Sequence, residues 1–237
     1  MTTITERTHS PFRYDVVGSF LRPDELKEAR AKFANGEITQ GELKVVEDKA
    51  IIDLIQKQEE AGLKAITDGE FRRSWWHLDF FWGLNGVEKV EEGGYQFHDE
   101  YTRAETARLS GKISGENHPF VEDFKFVNAN ISDNVETKQT FPAPAQFIAE
   151  LTRPENIAST RAIYPTDEEL IEDVAKAYQQ VIRELYDAGA RTIQLDDCTW
   201  GTIVSENPEG VSTRAQLETG NKEEKEKVEA RERLKEL

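Results

Sequence analysis

Three carboxylates stand where short apolar runs give out. Glu70 closes the run Leu63-Lys-Ala-Ile-Thr-Asp-Gly-Glu, and Asp196 and Asp197 close Arg191-Thr-Ile-Gln-Leu-Asp-Asp. If both runs are strands of one sheet, their ends can converge, and gathered carboxylates suit an ammonium group, a metal ion or general acid–base work. Asp and Glu after a strand also serve as turn formers and helix caps. For any one of the three the two readings weigh about equally, and the pairing of two strand ends favours function. Ser19 follows Gly18 in a similar place. Its hydroxyl and the N–H groups of the turn could hold a ligand carboxylate, although Ser in such a turn is more often structural.

Other chemistry is thinner. His77 lies among aromatics and His118 precedes Pro119, but no His-x-His, His-x-x-x-His or Cys-x-x-Cys spacing occurs, so no complete zinc site is legible. Cys198 is the single cysteine; beside two acids it could ligate a metal, but a lone Cys more often packs as a small buried hydrophobe. Trp75, Trp76, Phe80, Phe81 and Trp82 could stack a flat ring, yet core packing is the commoner use of such a cluster. Arg72, Arg73, Arg103, Arg108 and Lys112 are the notable basic concentration. They could hold an anionic tail or simply pair with neighbouring acids.

The elements that must position these residues follow from periodicity. Tyr14–Phe20 reads as a buried strand ending at Gly18-Ser19. Pro23 and two acids then open a helix that Asn35-Gly36 stops. Leu43, Val46, Ala50, Ile51, Leu54 and Ile55 keep the three-to-four spacing of an amphipathic helix over 39–61, with Gly62 as its stop. Leu63–Asp68 is the second strand. Residues 84–104 read as a loop or hairpin insertion turning at Gly93-Gly94. Ala107–Ile113 and Thr137–Phe141 are the third and fourth strands, separated by a short segment around 124–130. Thr166 and Glu169 form a capping-box pattern opening a helix that runs to about Ala188, with Gly189 as its stop. Arg191–Asp196 is the fifth strand, and the Lys/Glu-rich residues 222–237 read as a solvated helix with i,i+4 pairs. Strands alternating with helical crossovers, and polar residues at the strand ends, predict an α/β fold with a parallel sheet. No Gly-x-Gly-x-x-Gly turn follows a strand, so a (β/α)8 barrel is favoured over a doubly wound sheet.

With 237 residues, 12 Phe, 6 Tyr and 4 Trp, the chain can bury a core. A formal net charge of -16 disfavours nucleic acid and anionic membrane surfaces. One cysteine, no apolar leader in residues 1–11 and no long apolar run predict a cytoplasmic protein with no disulfide.

Read together, four blocks carry a resemblance: Asp15-Val-Val-Gly-Ser-Phe-Leu-Arg-Pro, Ile66-Thr-Asp-Gly-Glu-Phe-Arg-Arg, Phe141-Pro-Ala-Pro-Ala and Ile193-Gln-Leu-Asp-Asp-Cys-Thr-Trp-Gly. In this order they resemble the cobalamin-independent methionine synthase family, specifically its short single-barrel relatives. The resemblance implies a methyltransferase that moves a methyl group from methyltetrahydrofolate to the zinc-bound thiol of homocysteine, which the metal activates as thiolate. It implies that Gly18 and Ser19 hold the amino-acid carboxylate and that Glu70 and Asp196 hold its ammonium. Arg108, Lys112 and Pro142 would border the folate. The family's zinc ligands, a His-x-Cys pair, a Glu and a second Cys, would fall beyond Leu237. The expectation is therefore residues 1–13 as a tail and 14–237 as about the first five strands of an incomplete (β/α)8 barrel. Such a chain is expected to lack activity alone, and to be completed by another chain or to associate as a homo-oligomer. The alternatives are zinc-dependent alkyl transfer to another thiol such as coenzyme M, or a non-catalytic binding or assembly fragment.

Overall fold

A computed structural model of the chain describes Arg7 and residues 9–91 and 105–199. In chain order its elements are α1 (Asp24–Ala34), α2 (Gln40–Glu60), β1 (Ala65–Ile66), α3 (Leu78–Gly83), β2 (Asn85–Val90) and β3 (Thr106–Ser114), followed by α4 (Pro119–Asn128), β4 (Glu136–Pro142), α5 (Pro144–Leu151), α6 (Ile157–Ile163), α7 (Asp167–Asp187) and β5 (Thr192–Asp196). Strands β1, β4 and β5 form one sheet in that order, with β1 and β4 parallel. Strands β2 and β3 form a separate antiparallel pair. The fold is mixed α/β, as the alternation of elements predicts. Contacts divide the chain into two compact units. One comprises the described parts of Met1–Trp76, Pro119–Phe141 and Arg183–Gln194; the other holds those of His77–His118, Pro142–Ile182 and Leu195–Leu237.

The first unit is built around α1 and α2. Pro23 in extended conformation precedes α1, with Asp24 and Glu25 in the first turn and Lys32 in the last, the charge order that the helix dipole favours. Thr39 and Glu42 cap α2 reciprocally: the Glu42 N–H donates to Thr39 Oγ1 (3.3 Å) and the Thr39 N–H donates to Glu42 Oε2 (2.7 Å). Gly62, at φ +84°, stops the helix. Leu43, Ile51, Leu54 and Ile55 of α2 pack with Leu26 and Ala29 of α1, Ile66 of β1, Phe71 and Val127 into one core.

A polar residue on the buried side of α2 ties that helix to the sheet. The Gln58 amide donates to the Thr67 carbonyl (2.9 Å) and accepts the Thr67 N–H (3.1 Å), satisfying both backbone groups just past β1. Outside this core, Arg72 pairs with Glu47 (3.3 Å), Asp48 (2.5 Å) and Asp123 (3.1 Å), and Arg30 pairs with Glu47 (3.3 Å). Burial pushes the Asp123 carboxyl up to about 6, although Arg72 pulls the other way. No helix among the described residues is long and apolar enough to cross a membrane.

In the second unit Phe81 stacks on Phe147 at 4.5 Å, and Phe80 meets His118 (4.5 Å) and Tyr178 (5.1 Å). Phe80 and Phe81 are fully buried, so this part of the aromatic cluster is core. Glu150 is buried as well; it accepts from Thr106 Oγ1 (2.5 Å) and pairs with Arg153 (3.3 Å). Thr166 Oγ1 receives the Glu169 N–H (3.3 Å) at the start of α7, as the pattern predicts.

Two expectations need correction. Tyr14–Phe20 is not a strand: only Ser19 makes a ladder contact, a parallel bridge to Gly69. The reason is that side chains take its carbonyls. Lys138 Nζ donates to the Val16 carbonyl, Gln194 Nε2 to Val17 (2.8 Å) and Thr67 Oγ1 to Gly18 (2.6 Å). Ala107–Ile113 does form β3, but β3 pairs antiparallel with β2 and not with the β1–β4–β5 sheet. The segment around 124–130 lies largely in helix α4, whose Phe120, Val121, Phe124 and Val127 are buried. The expected turn at Gly93-Gly94 and the helix at 222–237 lie outside the described residues.

Two predictions follow from the packing. A Cβ built on Gly115 would lie 2.1 Å from the Ala177 carbonyl oxygen, a backbone atom that cannot swing aside. Gly115→Ala should therefore destabilise the protein by about 3 kcal/mol or more, read as a shift in urea midpoint. Burial, with help from the Arg153 charge, lowers His77 to about 4. Between pH 6.5 and 4 the unfolded chain binds a proton at His77 that the folded chain does not. Stability from this group is thus complete above pH 6.5 and lost as pH falls toward 4, by on the order of 3 kcal/mol. His77→Phe should flatten that part of the stability–pH curve; an unchanged slope would count against the assignment.

Candidate functional site

Glu70 sits in the turn after β1, and its backbone is unusual. Its φ is +59°, the left-handed region that costs a non-glycine residue about 1–2 kcal/mol. Several contacts hold it there. The Glu70 N–H donates to Asp68 Oδ1 (2.8 Å), and Arg22 donates to the carbonyls of both Glu70 (2.7 Å) and Arg73 (2.8 Å). The residue is only 6% exposed. Its Oε1 accepts from Thr140 Oγ1 (3.2 Å) and from the Arg73 guanidinium (3.3 Å).

Gly18 and Ser19 adjoin this turn. The Phe20 N–H donates to the Gly69 carbonyl (3.1 Å), extending the bridge between Ser19 and Gly69. Gly18 is buried at φ +134°, and a Cβ there would meet Thr140 Cγ2 at 2.7 Å. Glycine is required on both counts. Ser19 itself is exposed. The structure thus brings Gly18, Ser19 and Glu70 together around one turn of the first unit.

The remaining residues belong to the second unit. Asp196 is half-buried at the end of β5, and its carbonyl accepts the Ala143 N–H (2.8 Å). On β3, Arg108 is half-buried and Lys112 exposed, while Ala107, Leu109 and Ile113 are buried. The Lys112 ammonium lies 3.8 Å from the centre of the Tyr164 ring and 4.0 Å from Glu169. The Pro142 carbonyl accepts the Tyr178 hydroxyl (3.0 Å). Cys198 departs from expectation: the residue is exposed, with Sγ 2.9 Å from Gln146 Oε1, and the partial covering of its thiol, with the Asp197 charge, raises its pKa. Asp197 accepts the Thr199 N–H (2.8 Å) and hydroxyl (2.5 Å), a turn-forming role.

Among the described residues, no three His, Cys, Asp or Glu side chains gather as a metal would need. The described residues therefore do not fit a zinc ion. A cleft of about 450 Å³ opens where the strands begin, lined by Lys64, Glu136, Thr137 and Arg191 with Arg7 and His9; it is not the turn that carries Glu70.

Sequence reasoning missed the residues that hold Glu70. Arg73 reads as part of a basic patch, yet it is 2% exposed and bound to Glu70 and Thr140. Arg72 is likewise engaged, by three carboxylates. The signal for Arg73 was its spacing, three residues after Glu70. Arg22 and Thr140 had none, because their partners are 48 to 70 residues away.

Residues 12–115 match the catalytic domain of the cobalamin-independent synthases. The chain is 43% identical over 193 residues to the uncharacterized protein YxjH of Bacillus subtilis, covering 81% of this chain and 49% of that protein. It is 29% identical over 215 residues to a methionine synthase of Saccharolobus solfataricus, covering 84% and 59%. A crystal structure of a Listeria monocytogenes protein assigned to the vitamin-B12-independent methionine synthases superimposes with a TM-score of 0.66 at 39% identity, covering 84% of this chain and 55% of that one. The chain spans about half the length of the curated relatives it matches first. Over most of its described length the chain is thus similar to proteins of the cobalamin-independent methionine synthase family.

Proposed function

We propose that this chain carries the amino-acid-binding part of an S-methyltransferase of the methionine synthase type, on a fold of the (β/α)8 class. In this reading homocysteine accepts a methyl group from methyltetrahydrofolate to give methionine. The observation that supports it is the buried Glu70 carboxylate, held by Arg73 and Thr140 in a strained turn beside Gly18 and Ser19. A carboxylate so placed suits an α-ammonium group, because a charge-assisted hydrogen bond in a water-poor site is strong and directional. The Ser19 hydroxyl and the N–H groups of its turn take the amino-acid carboxylate at the other end. Asp196 is the second carboxylate for the ammonium. Arg108, Lys112 and Pro142 border the folate, whose glutamyl carboxylates the two cations attract.

A zinc ion, where the family's reaction uses one, supplies the activated thiolate. The part taken by Gly18, Ser19, Glu70 and Asp196 is to bind and orient the amino acid.

The test is equilibrium titration of L-homocysteine and L-methionine into the purified chain, after cooperative unfolding has been verified. Wild type should bind both. Glu70→Gln, which keeps shape and removes the charge, should weaken binding by about 10- to 100-fold. Ser19→Ala should cost roughly 3- to 10-fold. Treatment with a chelator should leave the wild-type affinity unchanged. Binding that ignores Glu70→Gln would sink the assignment of the ammonium site.

A further inference from the structure

Arg73 is a cation beside a carboxylate that is itself meant for a cation, an arrangement that calls for explanation. Both terminal nitrogens of its guanidinium are engaged. One nitrogen donates to Glu70 Oε1 (3.3 Å) and to the Trp76 carbonyl (3.2 Å); the other donates to the Thr140 carbonyl (2.5 Å) and hydroxyl (3.0 Å). The plane lies over the Phe120 ring, 4.5 Å from its centre. Arg73 is therefore not available to an incoming anion. Its own carbonyl accepts from Arg22, which also binds the Glu70 carbonyl, so the strained turn is gripped from both ends.

We propose that Arg73 is a positioning residue for Glu70: with Thr140 it takes hold of Oε1 and so keeps the carboxylate aimed while the site is empty. The inference rests on the reading of Glu70 as the ammonium-binding group. Two physical points favour it. A buried carboxylate with no counter-ion would be strongly destabilising, and losing one partner of a buried pair typically costs more than the pair's net worth. Also, a carboxylate fixed before the ligand arrives spares the ordering cost at binding. Because Arg73 and Thr140 converge on a single oxygen, the carboxylate is also prevented from rotating about its last bond.

A merely structural arginine would lower stability or affinity for every ligand alike. A positioning arginine should change how the site tells an amino group from its absence. The experiment is titration of the full chain with L-methionine and with 4-(methylthio)butanoate, which lacks the amino group. Wild type should prefer methionine by at least about tenfold. Glu70→Gln should bring the ratio close to one. Arg73→Gln should do nearly the same while affinity for the deamino compound changes little, and Arg73→Lys should restore part of the ratio. If Arg73→Gln does not fold, Thr140→Val, which removes only a hydroxyl from the same oxygen, should lower the ratio by a smaller step. A folded Arg73→Gln that keeps the wild-type ratio, or an unchanged ratio in Thr140→Val, overturns the proposal and leaves the ammonium site standing. A wild type that does not distinguish the two ligands, or a Glu70→Gln that retains the preference, overturns the ammonium site and the proposal together.

Discussion

The turn after β1 has to hold a buried negative charge in a backbone conformation that a non-glycine residue resists. Each of those demands is unfavourable alone: left-handed Glu70 is strained, and a carboxylate withdrawn from water loses hydration that only ion pairing and hydrogen bonds can replace. Neighbouring structure answers both. Arg22 grips the carbonyls of Glu70 and Arg73, Asp68 receives the Glu70 N–H, and Arg73 with Thr140 holds the carboxylate. The three segments that meet here are the Gly18–Pro23 region, the Asp68–Arg73 turn and the end of β4.

That meeting sets requirements further out. Gly18 has to be glycine so that its backbone can pass close to Thr140, and a Cβ on Gly69 would run into Leu54 of α2 at 2.3 Å. The turn is thus pressed against the helix that forms the core of the first unit. Gln58, buried in that helix, bonds both backbone groups of Thr67, and Thr67 in turn reaches the Gly18 carbonyl with its hydroxyl. Helix, strand end and N-terminal segment are linked by one short chain of hydrogen bonds. Each bond contributes about 1 kcal/mol net. Their larger effect is to leave the Glu70 carboxylate few ways to move.

Acidity is handled locally. The chain carries 46 Asp and Glu against 30 Lys and Arg, and the buried or half-buried arginines are shared among several oxygens. Arg72 serves Glu47, Asp48 and Asp123, and Arg73 serves Glu70 and Thr140. A planar guanidinium with five donors can do this, whereas a lysine cannot match its fixed fork. Lys138 shows the other solution. Its stem is buried, and its ammonium meets Asp15, the Val16 carbonyl and Gln194, a point charge satisfied by three separate partners.

What the amino-acid order determined by itself was local. The capping box at Thr39 and Glu42, the stop at Gly62, the cap at Thr166 and the apolar spacing of α2 act within a few residues, so α1, α2 and α7 are legible directly. The Asp68-Gly69-Glu70 block could be singled out because a polar cluster ending an apolar run is also a local pattern. Only the tertiary structure decided the rest. Tyr14–Phe20 has the composition of a strand, but side chains at 67, 138 and 194 compete successfully for its carbonyls. Ala107–Ile113 has strand propensity that cannot say which strand it pairs with, and its partner proved to be β2. Among several arginines, the one that holds Glu70 is identified by the approach of Thr140 and Phe120. These outcomes turn on hydrogen bonds and ring contacts between residues tens of positions apart, and propensity and periodicity carry no information over that distance.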